Sequence, residues 1–130
     1  MNERQLIESL EDEVRTLLPA GYPTVEQGAR CVGVSVRTLQ RRLHRNGLTY
    51  SALVERVRHE EACRLLQVNS RSIAEIALRL GYSDPSHFSR AFRRWEGVSP
   101  RTYQRSFKAA CDDQKKHADR KIPPTKPDEL

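Results

Sequence analysis

The sequence predicts an all-α fold of about seven helices, in two homeodomain-like lobes joined by a long central helix. Three observations predict it. First, one pattern occurs twice: residues 24–49 read TVEQGARCVGVSVRTLQRRLHRNGLT and residues 72–99 read SIAEIALRLGYSDPSHFSRAFRRWEGVS. In each copy a hydroxyl residue opens a short apolar-periodic stretch. An Ala (Ala29, Ala77), a Gly (Gly33, Gly81) and a Ser (Ser35, Ser83) follow in order, then an Arg-rich stretch closed by another Gly (Gly47, Gly97). This is the punctuation of a helix-turn-helix: a short helix, a tight turn and a second helix. Second, the stretches flanking the copies also carry apolar residues at helical spacing. Third, no Gly or Pro interrupts residues 50–68. A helix of that length spans nearly 30 Å at about 1.5 Å per residue and can act as a rigid spacer.

Each element has a local cause. Residues 3–18 form an amphipathic helix with Leu6, Ile7, Leu10, Val14, Leu17 and Leu18 on one side, and Pro19, Gly21 and Pro23 end it. Thr24 caps the next helix, with Gln27 as the reciprocal half of a capping box, and that helix runs to about Val32. Ser35 caps a third helix from Val36 to Arg45, which Gly47 stops. Thr49 caps a fourth from Tyr50 to Val68, whose apolar side includes Leu53, Val57, Cys63, Leu66 and Val68. Ser72 and Glu75 form a second capping box, opening a helix from Ile73 to Leu80. Asp84 followed by Pro85 starts a sixth helix reaching about Trp95, because proline is pre-organised for the first helical position. Ser99-Pro100 repeats that signal for a short seventh helix ending near Phe107. The domain plan is therefore 1–23, a helix packed on the first lobe or marking a boundary; 24–49, the first helix-turn-helix; 50–71, a linker helix; 72–107, the second helix-turn-helix and final helix; and 108–130, a disordered tail.

Charge points to the partner. The chain has 130 residues and a formal net charge of +6, with 37% hydrophobic and only 6% aromatic residues, so a modest, mostly aliphatic core is expected. Residues 24–107 hold fifteen Arg, no Lys and seven acidic residues, a net +8, whereas residues 1–23 hold five acids and two bases. The basic excess thus lies on the repeat, and it is all arginine, whose planar fork suits phosphate oxygens and the O6/N7 edge of guanine. No apolar run approaches the roughly 20 residues that span a bilayer. MNERQLIESLEDEVR is no secretory leader. The scattered Cys31, Cys63 and Cys111 suggest a reducing cytoplasm rather than a disulfide framework.

On the second helix of the first copy, Leu39 and Leu43 face inward and leave Arg37, Gln40 and Arg41 on an outward face. In the second copy Phe88 and Phe92 point inward, and Ser86, Ser89, Arg90 and Arg93 point out. Arg and Gln make bidentate contacts to guanine and adenine edges, and Ser donates to a base or a phosphate. Arg-rich helix faces are also common as solvated surface, but two copies with matched caps and glycines favour base reading.

The stretch IAEIALRLGYSDPSHFSRAFRRWEGVSPRTYQR resembles the C-terminal signature of the AraC/XylS family of bacterial transcription regulators, and SVRTLQRRLHRNG resembles that family's first helix-turn-helix. The resemblance covers about residues 6–107. It implies seven helices and two motifs entering adjacent major-groove segments of double-stranded DNA. It implies base readout by Arg37, Gln40 and Arg41 in the first motif and by Ser86, Ser89 and Arg90 in the second, with Thr38 and His87 at positions that often touch phosphates. Pro85 and Ser86 are shorter than the amides many members carry there, so the second motif should contribute fewer base contacts and the site should be asymmetric. The resemblance further implies a regulator, activator or repressor, working with RNA polymerase, cytoplasmic and nucleoid-associated when bound to DNA. The chain reads as the DNA-binding part of a longer effector-responsive protein, dimerising, if at all, through an N-terminal domain outside this sequence.

The competing reading is a basic adaptor that binds an acidic protein and only non-specific DNA. An enzyme is not expected, since no GxSxG, HExxH or phosphate-cradling loop occurs. Three scattered cysteines also cannot supply the four-cysteine site of repair proteins that carry a domain of this family. His59 and Cys63 are four apart, a possible metal spacing, but no second pair lies nearby in sequence, so no metal or cofactor is expected. Cys31 is expected to pack as a small apolar residue. Cys111 is expected to be an exposed thiol in the tail. Trp95 is expected to close the second lobe's core rather than stack on DNA.

Overall fold

Asn2 and Gln5 exchange side-chain-to-backbone hydrogen bonds of 2.8 and 3.2 Å, which fix the start of α1, Glu3–Leu17. Leu6, Leu10 and Val14 fall four residues apart and are fully buried, as is Leu18 in the 3-10 turn Leu18–Ala20 that follows. Thr24 and Gln27 cap α2, Val25–Cys31, reciprocally, and Ser35 accepts from the Thr38 N–H to start α3, Val36–Arg45. Thr49 accepts from the Ala52 N–H at 3.1 Å at the start of α4, Tyr50–Val68. Ser72 and Glu75 cap α5, Ile73–Arg79, and Asp84 caps α6, Pro85–Glu96. Ser99 accepts from the Thr102 N–H at the start of α7, residues 100–107. This computed structural model describes residues 2–68 and 71–107, and among them all regular structure is helical. The tail from Lys108 onward, including Cys111, lies outside the described residues.

Among the described residues the chain falls into two compact units, 2–61 with 79–81, and 62–68, 71–78 and 82–107. Helix α4 contributes residues to both. Its Leu53, Val54 and Val57 are buried in the first unit, and its Ala62, Leu65 and Leu66 in the second. Apolar positions recur along the whole helix, so each part has a core to join. Val68, expected on the apolar side, is 56% exposed.

The first unit is aliphatic, as its composition predicts, with two polar anchors. The Tyr50 hydroxyl lies 3.0 Å from both the Pro23 and Thr24 carbonyl oxygens, and burial pushes its phenol up to about 12. Gly28 makes room for it: a Cβ there would lie 2.8 Å from Tyr50 Cε1 and 3.1 Å from Leu10 Cδ1. Arg58 is 6% exposed, and its guanidinium donates to the Leu80 and Gly81 carbonyls at 2.9 and 3.1 Å. The same group lies 4.9 Å from the Tyr22 ring centre. A buried cation is tolerable only when its donors are used in this way. The arginine thereby holds the turn that follows α5. Gly81 adopts φ +87° there, with Leu18 O 2.9 Å from where a Cβ would sit.

The second unit departs from the aliphatic expectation. Phe88 and Phe92 are fully buried, and Phe92 meets Trp95 and Tyr103 edge-on at centroid distances of 6.3 and 5.1 Å. Tyr82 packs on Phe88, and Phe107 on Tyr103. The few aromatics are concentrated between residues 82 and 107, so a low overall aromatic content still builds a local aromatic core. Trp95 is half-buried against that core, as expected.

Candidate nucleic-acid interface

In the first unit, α3 is held by its inner face and presents its outer one. Leu39 and Leu43 are 0% exposed, while Arg37, Gln40, Arg41, His44 and Arg45 are exposed. Thr38 is half-buried, and its hydroxyl lies 3.0 Å from the Ser35 hydroxyl, so it is tied to the start of the helix. At the other end Asn46 donates to the Arg42 carbonyl at 2.9 Å, and Arg42 and Arg45 sit in the last turn, where cations offset the helix dipole. A shallow depression of about 190 Å³, lined by Gln40, His44, Leu48, Thr49 and Tyr50, adjoins the exposed face. The face thus offers a fork donor, an amide and a second fork donor within one and a half turns.

In the second unit, α6 buries Phe88, Ala91 and Phe92. Ser86, His87 and Arg90 are exposed and Ser89 is half-buried. The Ser86 N–H donates to the Asp84 carboxylate at 2.9 Å. That bond foremost, then the Ser86 hydroxyl, His87 and Arg90, holds the Asp84 carboxyl below its usual range. An anion at the first turn of α6 therefore partly offsets the cationic face beside it, and this unit's outward groups are shorter than those of α3. Arg93 and Arg94 extend the exposed cationic surface one turn further.

The other candidates fall elsewhere. Cys31 is exposed, which corrects the expectation that it packs in the core. It ends α2, and the buried Ala29 two residues earlier points about 200° away around the helix. Partial desolvation and the Glu13 carboxylate push its thiol up. Cys63 is half-buried with its sulfur 3.7 Å from a Glu96 carboxylate oxygen.

Two features escaped the sequence reading. Arg45 continues the exposed Arg37–Arg41 row by one more turn, a periodicity that could have been counted. Glu3 reaches Arg42 and Arg45, each at 3.3 Å, from at least 39 residues away, and no local signal announces it.

A family model described as a helix-turn-helix domain matches residues 29–106. The ornithine utilization regulator of Pseudomonas aeruginosa is 41% identical over 100 residues, covering 75% of this chain and 30% of that protein. This chain therefore spans less than a third of that relative's length. The solved structure of an AraC-type regulator from Chromobacterium violaceum matches with a TM-score of 0.71 at 27% identity, over 80% of this chain and 93% of that one. The DNA-binding domain of AdpA, solved in complex with a target DNA, matches with a TM-score of 0.65 at 26% identity, over 82% of this chain and 93% of that one. No helix among the described residues is long and apolar enough to cross a membrane.

Proposed function

This chain belongs to the helix-turn-helix family of AraC-type DNA-binding domains, and on that premise we propose that it reads double-stranded DNA in a sequence-specific way as the operator-binding module of a transcription regulator. One observation carries the reading. The second helix of each repeated motif buries an apolar face and exposes a cationic one, with Arg37, Gln40 and Arg41 on α3 and Ser86, His87 and Arg90 on α6. Arg37, Gln40 and Arg41 read bases. Ser86, Ser89 and Arg90 read fewer, and Thr38 and His87 anchor to phosphate. Affinity comes chiefly from Arg–phosphate contacts and falls steeply with salt.

The site is asymmetric, because the two faces differ in side-chain length and charge. The module acts in the cytoplasm as part of a larger protein that responds to an effector, engages RNA polymerase and activates transcription. It performs no catalysis. Selection from a random duplex library tests the reading. The expected outcome is enrichment of two unlike segments centred about one helical turn apart. Recovery of unenriched sequence, with binding that ignores base composition, would instead favour the adaptor.

A further inference from the structure

We propose that Glu3 is a specificity-determining residue for DNA binding. It acts as an internal counter-charge that withholds Arg45 from the phosphate backbone. The inference rests on the DNA-binding reading above and adds a residue outside either helix-turn-helix motif.

The geometry points to this from both ends of the contact. Glu3 is the first residue of α1, and the Asn2–Gln5 capping box fixes its backbone. Both of its carboxylate oxygens are used. Oε2 lies 3.3 Å from Arg42 Nε and 3.3 Å from Arg45 NH1, and Oε1 accepts from Asn46 Nδ2 at 3.2 Å. Arg45 lies four residues beyond Arg41 and eight beyond Arg37, so the three form one row along the exposed face of α3. Its side chain is 59% exposed. A carboxylate offers a guanidinium the same pair of oxygens that a phosphate does, so Glu3 and DNA compete for the same donors.

The Glu3–Arg45 contact contributes little to folding, because its Arg45 end is exposed and such ion pairs are weak. Its consequence is where positive charge is available. Non-specific affinity counts phosphate contacts and nothing else, and each contact adds about 0.9 to the salt slope. Three unopposed arginines in a row would favour any duplex. With Arg45 neutralised, the free cations of α3 are Arg37 and Arg41, those beside Gln40 that can address base edges. Glu3 therefore weakens binding to wrong sequence more than binding to the right one, where base contacts fix the register of the helix.

The test uses the 130-residue chain, a duplex from the selection and a scrambled duplex of equal length, in anisotropy titrations across salt. Glu3→Gln keeps the size of the side chain and removes its charge. The expected result on scrambled duplex is a salt slope steeper by about one and binding roughly 3- to 10-fold tighter near 0.1 M salt. The selected duplex gains less, so the selectivity ratio falls. Adding Arg45→Gln to Glu3→Gln abolishes the gain. Arg45→Gln alone, a change on an exposed side chain, leaves the slope on scrambled duplex as it was. The inference is overturned if Glu3→Gln leaves that slope unchanged, if both duplexes tighten equally, or if Arg45→Gln alone lowers the slope by about one. A wild-type chain that does not distinguish the two duplexes overturns the DNA-reading assignment as well. Normal wild-type selectivity with an inert Glu3→Gln sinks only the role of Glu3.

Discussion

Replacing Gly81 by alanine tests the tightest backbone approach in the first unit. Gly81 has φ +87°, so alanine must adopt a left-handed conformation, which costs about 1–2 kcal/mol. Its Cβ would also lie 2.9 Å from Leu18 O, 3.0 Å from Gly21 C and 3.1 Å from Gly21 O. These are backbone atoms and cannot rotate away, so an overpacking cost of about 1–3 kcal/mol adds to the strain. The sum is about 2–5 kcal/mol, a large share of the roughly 5–15 kcal/mol that stabilises an ordinary domain. Gly33 supplies the internal control: its φ is +77°, yet nothing lies within 4 Å of the position a Cβ would take. Gly33→Ala should cost only the conformational part, about 1–2 kcal/mol. The unfolded-state gain from replacing glycine is common to both and cancels in the difference. Urea unfolding followed by far-UV circular dichroism should separate the two midpoints by roughly 1 M at a typical slope. If Gly81→Ala is no more destabilising than Gly33→Ala, the turn after α5 is not wedged against residues 18–21, and the account of Arg58 and Gly81 fails with it.

Gly28→Ala places a methyl 2.8 Å from the Tyr50 ring, which its two carbonyl partners hold in place. The variant should lose about 1–2 kcal/mol despite the better helix propensity of alanine, read as a lower thermal midpoint. Gly28→Ala in a Tyr50→Leu background should be less harmful; an equal loss there would mean the ring is not the obstacle. The Asp84 carboxyl is held below its usual range in the folded chain, so its cap stabilises α6 above the ordinary Asp value of about 3.9 and is lost as pH falls through the lower folded value. The stability difference between wild type and Asp84→Asn should be constant above about pH 5 and shrink as the pH drops below about 4, in acid titrations of urea midpoints. A difference that grows on acidification would reverse the assignment.

What was legible in the sequence was local. The spans expected for α3 and α4 match the structure residue for residue, because Ser35 and Thr49 each act within one helical turn of the start they set, and Gly47 does the same at the end of α3. Leu39, Leu43, Phe88 and Phe92 were readable as inward pairs for the same reason. The contacts that join distant segments were not. Arg58 reads as surface charge from its neighbours, and only the folded chain brings the Leu80 and Gly81 carbonyls to it. Cys31 looked apolar by type, but a seven-residue helix has room for a narrow inner face, and Gly28 and Ala29 occupy it. The outward rows on α3 and α6 follow from helical periodicity alone. Glu3 beside Arg45 does not, since the pair spans more than forty residues.

The central claim is that α3 and α6 read different parts of one operator. The most direct measurement is a titration of wild type, Arg41→Ala and Arg90→Ala against the selected duplex and against versions with either segment replaced. Each variant should weaken binding to the intact duplex by about 1–3 kcal/mol. Arg41→Ala should then be indifferent to replacement of one segment only, and Arg90→Ala to replacement of the other. Equal weakening on every duplex, with discrimination between sequences unchanged, would contradict the claim and leave both arginines as phosphate contacts.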